Sequence, residues 1–193
     1  LRPTPWPPKA SHLEKLPLLL PTQLSKPSPK GRRHRRLRRE LCAKFFSGKN
    51  FFRNSMPQNT HITKHLVPDG QRLATADRMF GLGYALHLEP LVFRLAEGLT
   101  SNYNGGYWAF NVLSNNGFYM CPVSQAVYDV RSENGYAGSV SADTLGIIVC
   151  LYAYSDLSFG DGRLAQTCAT HYHLLRAFAL IQEDVDTILA AID

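Results

Sequence analysis

Cysteine is scarce in this chain: four residues in 193, at positions 42, 121, 150 and 168, with no two at metal-ligand spacing. With no secretory signal in view, they read as reduced thiols of a cytoplasmic protein. Long apolar runs are also missing. Leu145 to Tyr154 is the most apolar stretch, about half of the roughly 20 residues a membrane-spanning helix requires. The shorter LPLLLP at 16–21 is interrupted by Pro17 and Pro21 and precedes the basic cluster, the wrong order for a leader. No membrane association is expected. Phosphate-cradling glycine motifs are absent too, because Gly81-Leu82-Gly83 and Gly105-Gly106 lack the required spacing, and Gly160-Asp161-Gly162 reads as an interhelical turn. Ser114 and Ser124 lie outside any nucleophile motif. Cys168, His171 and His173 tempt as metal ligands. On a helix, however, positions 171 and 173 point about 200° apart, so the three cannot share a face. At least one of the two histidines is expected as a half-exposed helix residue. No internal repeat is present.

Charge divides the chain in two. Residues 1–55 hold 14 Lys and Arg against Glu14 and Glu40, together with eight of the 12 prolines. Residues 56–193 hold the remaining seven Lys and Arg against 13 Asp and Glu, so the overall +6 is the balance of a basic arm and an acidic domain. Prolines at 3, 5, 7, 8, 17, 21, 27 and 29 remove backbone donors and disfavour helix before them, so 1–55 reads as disordered. Arg32, Arg33, Arg35, Arg36, Arg38 and Arg39 would clamp phosphates in a non-specific, salt-dependent way. Two readings compete with a functional arm: an ordered extension, and translated upstream or fusion sequence preceding a natural start at Met56. The acidic domain argues against a nucleic-acid groove of its own.

Patterning in 56–193 predicts an α+β fold: a small antiparallel four-stranded meander packed with four to five helices in a single domain. GGYWAFNVLSNNGFYMCP, Gly105 to Pro122, carries two alternating aromatic runs around Asn115-Asn116-Gly117, a tight-hairpin signal. Val127–Arg131 and 136–141 flank a second turn at Glu133-Asn134-Gly135. Helices are expected at about 71–80, ended by Gly81; from Pro90 to about Leu99; from Asp143, read as the cap, through Asp156; from Arg163 to Ile181; and after Glu183-Asp184. The third, TLGIIVCLYAYS, is apolar almost all round and is expected at the centre, with a strand at Ile147-Ile148-Val149 as the alternative.

The hairpin run, followed by SVSADTLGIIVCLYAY, HYHLLRAFA and a final AID, resembles the plasmid antirestriction proteins of the ArdB/KlcA type. The similarity spans about 66–193. It departs at Asn116, where a second glycine is usual, and at Cys121, where a small residue is usual. The resemblance implies a non-catalytic inhibitor of type I restriction–modification that protects incoming mobile DNA in the bacterial cytoplasm. Its partner would be the restriction system or a host factor acting on it, without a cofactor. Two alternatives stay open: a DNA-binding module using the Arg-rich arm, and a hydrolase without a recognisable motif. Candidate partner contacts are the acidic C-terminal residues Glu183, Asp184, Asp186 and Asp193, set against helix capping and solubility. Trp108 is a further candidate, and its ring is expected mainly in the core.

Overall fold

The computed structural model describes residues 61–193. The Arg32–Arg39 cluster, the arm at 1–55 and the start at Met56 lie outside the described residues. Five strands and five α-helices follow in the order β1 (Lys64–Leu66), α1 (Arg72–Phe80), α2 (Glu89–Leu99), β2 (Trp108–Leu113), β3 (Phe118–Pro122), β4 (Val127–Arg131), β5 (Ala137–Ser141), α3 (Ala142–Ser158), α4 (Gly162–Ala179) and α5 (Val185–Ile192). A single π-helical turn, Tyr84–Leu88, links α1 to α2. The α+β class stands.

The β2–β3 hairpin closes where the sequence signals it. Asn116 takes φ 66°, its N–H donates to the Leu113 carbonyl, and the Gly117 N–H donates to the Asn115 side chain. Asn and Gly accept these backbone angles at low cost, which is why the turn forms there. The Asn115 amide also donates to the Leu174 carbonyl, pinning the hairpin to α4. Trp108, Phe110 and Phe118 share one face and pack on Phe93, Tyr84 and Phe80, with ring centroids 5.6, 5.6 and 5.7 Å apart. The opposite face is covered as well: Tyr119 stacks on Phe178 of α4 at 5.9 Å, and Asn111 is buried against Cys121. Alternation along these strands therefore separates two packed layers.

One expectation about strand order is corrected. The four predicted strands do not form one meander. β1 pairs antiparallel with β2 and β2 with β3, whereas β4 and β5 form a separate two-stranded sheet. The cause lies along the outer edge of β3. Gly117, Tyr119, Cys121 and Val123 face β2, so the backbone of Phe118 and Met120 points outward. α3 occupies that space. Gly146 lets the helix approach so closely that a Cβ there would lie 2.5 Å from Cys121 Cβ and 2.6 Å from the Met120 carbonyl oxygen. One turn on, Cys150 Sγ accepts from the Met120 N–H at 3.4 Å and donates to its carbonyl at 3.6 Å. Burial pushes this thiol up to about 12, keeping it protonated and able to do both. Another turn on, the Tyr154 hydroxyl donates to the Phe118 carbonyl at 2.9 Å. With a helix on that edge, β4 bridges instead to Thr100 through Val130.

The run 147–149 is helical, and α3 is buried on nearly every side. Its cap is Ser141 instead of Asp143. Ser141 is extended (φ −67°, ψ 161°) and its Oγ accepts from the Thr144 N–H. Asp143 falls within the first turn, leaving its carboxylate for other partners.

Candidate functional site

A cleft of about 560 Å³ opens where β1, the start of α3 and the α4–α5 turn meet, inside the range of about 300–1,000 Å³ usual for ligand sites. His61 to Lys64 form one wall, Ser141, Asp143, Thr144 and Ile147 the floor, and Phe178 with Ile181 to Asp184 the other wall. Lys64 Nζ meets Asp143 Oδ2 at 2.7 Å, and the Tyr119 hydroxyl donates to Asp143 Oδ1 at 2.8 Å. Burial, then the Asp143 charge, hold the Tyr119 phenol well above its ordinary range, so it stays a donor. Thr144 Oγ1 donates to Asp184 Oδ2 at 2.7 Å and shares its other hydrogen bond with Ser141. Asp184 thus occupies the cap position of α5 without capping it through its side chain, because its carboxylate is drawn to α3.

The predicted acidic residues are divided by the fold. Glu183 and Asp184 line the cleft, and Asp186 follows in the first turn of α5, exposed and outside the lining. Asp193 follows the last residue of that helix, roughly 10 Å beyond Asp186 at about 1.5 Å per residue. Trp108 is 1% exposed, its indole N–H donating to the Tyr103 hydroxyl at 2.8 Å, so no ring surface is left for a partner. Sequence reasoning missed Lys64, Tyr119 and Thr144 as neighbours. Lys64 and Asp143 are 79 residues apart, and no periodicity links them.

His171 is buried, where a half-exposed position was open to either histidine; His173 is exposed. The His171 ring sits 4.5 Å from Phe80 and 5.7 Å from Tyr154, and burial lowers it to about 4. Cys168, one turn away on α4, is pushed up to about 12 by the same cause. Both are therefore neutral core groups near pH 7. Among the described residues, no three metal-ligating side chains converge, and no helix is long and apolar enough to cross a membrane.

Two layers of helices on a three-stranded sheet, with one β edge closed by a helix, define a small α+β protein whose polar cleft lies beside its other edge. The family model described as "Antirestriction protein" matches residues 101–193. The antirestriction protein KlcA of Escherichia coli is 33% identical over 139 residues, covering 70% of this chain and 98% of that protein. A second E. coli KlcA is 37% identical over 133 residues, covering 63% and 91%. The chain belongs to the antirestriction protein family, of the ArdB/KlcA type. A solved structure matches at TM-score 0.66 and 33% identity, covering 72% of this chain and all of the other. It comes from work on KlcA and ArdB describing a novel fold and antirestriction activity against type I DNA restriction systems in vivo but not in vitro.

Proposed function

We propose that this protein inhibits type I restriction–modification and so protects incoming mobile DNA, acting in the bacterial cytoplasm without catalysing a reaction. The observation that carries this reading is similarity over nearly the whole length of an antirestriction relative. Activity of KlcA and ArdB in vivo but not in vitro favours an indirect route, through a host factor acting on the restriction system. The contact surface favoured is the cleft, where Glu183 and Asp184 stand beside the Lys64–Asp143 pair; Asp193 lies at the far end of α5.

The test is the plating of unmodified phage on cells carrying a type I system. Cells making the chain should plate the phage far better than cells without it, while the purified chain leaves the purified restriction enzyme's rate unchanged. Equal plating would sink the antirestriction reading. Hydrolysis or modification of DNA by the pure chain, abolished by one polar substitution, would sink the non-catalytic one.

A further inference from the structure

Alternate residues of β1 are already engaged. The Thr63 carbonyl accepts from the Ser114 N–H at 2.9 Å, His65 pairs with Val112, and the Val67 N–H donates to the Phe110 carbonyl at 2.8 Å. The intervening residues Lys64 and Leu66 therefore direct their N–H and C=O groups away from β2, and among the described residues no backbone group meets them. Leu66 is 69% exposed, on the same face as Lys64.

The cleft lies on that face. Its titratable lining is Asp143, Glu183 and Asp184 against Lys64 and His61, so with a neutral histidine it carries a net charge of about −2. Lys64 shows what the floor accepts: an ammonium 2.7 Å from a carboxylate. On the far wall, Ile181 and Phe178 offer apolar surface beside Glu183 and Asp184. A long basic side chain has matching parts, an aliphatic stem and a cationic head. Phosphate would be repelled, which excludes a nucleic-acid strand from the same place.

We propose that the open edge of β1 and the adjoining cleft form one docking surface for an extended segment of another protein carrying an arginine or lysine. The segment adds to the sheet through the outward groups of Lys64 and Leu66. The side chain on its cleft-facing side then crosses to Glu183 and Asp184 along Ile181. Backbone pairing supplies attachment and the acidic wall supplies selectivity, the division of labour usual in strand addition. This inference rests on the assignment of the cleft as the contact surface, but its test is separable from the antirestriction reading, since peptide binding succeeds or fails whatever the phage assay shows.

The test uses the full 193-residue chain and two blocked peptides, Thr-Val-Arg-Val-Thr and Thr-Val-Glu-Val-Thr, titrated while backbone amide signals are followed. The arginine peptide should bind and shift the amides of Lys64 and Leu66, with the glutamate peptide about ten-fold weaker or worse. Leu66→Pro removes an edge donor and no bond to β2, and should weaken binding about three- to ten-fold. Glu183→Gln, on an exposed turn that does not threaten folding, should weaken it about two- to five-fold. Equal affinity for the two peptides, absence of arginine-peptide binding, or full binding by the Glu183→Gln variant would overturn the proposal.

Discussion

Along β3, the backbone groups facing away from β2 meet a helix: a Cys150 thiol at Met120 and a Tyr154 hydroxyl at Phe118, brought within reach by Gly146. Along β1, the corresponding groups of Lys64 and Leu66 meet no backbone partner among the described residues, and both residues are exposed. The chemistry of the two edges is the same, and burial separates them. A buried carbonyl without a donor costs about 1–3 kcal/mol, so an edge under a helix must be matched atom by atom. An exposed edge is served by water and needs only a guard against other strands. Here the strand is three residues long and carries Lys64, two common guards.

The sharpest way to break this contrast is Gly146→Val. The new side chain cannot fit against Cys121 and the Met120 carbonyl, so α3 must lift from β3. The gain in helix propensity, about 1 kcal/mol at most, is outweighed by overpacking at the upper end of about 1–3 kcal/mol, since the clash is with backbone that cannot swing aside. Urea denaturation should show a net loss of at least about 2 kcal/mol on these figures; a variant as stable as the parent would mean that α3 does not seal the edge. Tyr154→Phe is gentler. It leaves the Phe118 carbonyl unmatched in the core and should cost about 1–3 kcal/mol, read in the same experiment. At the open edge, Lys64→Met removes an ion pair between half-exposed partners. It should cost less than about 1 kcal/mol, a difference that shrinks further as salt is raised. A loss as large as that of Tyr154→Phe would abolish the distinction between the two edges.

The same contrast explains what could be read from the chain beforehand. Both turns, and the approximate limits of the helices, are local events written in Asn, Gly, Pro and the spacing of apolar residues. The hairpin at Asn115–Gly117 and the stop at Gly81 appear where those residues stand. Strand order is not local. Gly146 reads as one small residue in an apolar helix, and only its distance to Met120 shows that it displaces a strand. β1 escaped notice because three residues, Lys64, His65 and Leu66, hold too little alternation to mark a strand. The cap of α3 was misplaced by two positions, since Asp143 and Ser141 are both good caps and the extended backbone of Ser141 decides between them. Of the cleft, Glu183 and Asp184 were legible only as part of an acidic C-terminal cluster, from which the fold separates Asp186 and Asp193. The Lys64–Asp143 pair was not legible, because folding alone brings residue 64 to residue 143.

The helix that closes β3 also sets a schedule. Phe118 and Tyr154 are 36 residues apart, so a ribosome adding about 5–20 residues per second makes the strand about 2–7 seconds before the hydroxyl that covers it. Between the emergence of the two, the hairpin presents β3 with an unmatched border, in a cell crowded with other nascent chains. Protection of β3 is thus a matter of timing during synthesis as well as of fit in the finished molecule.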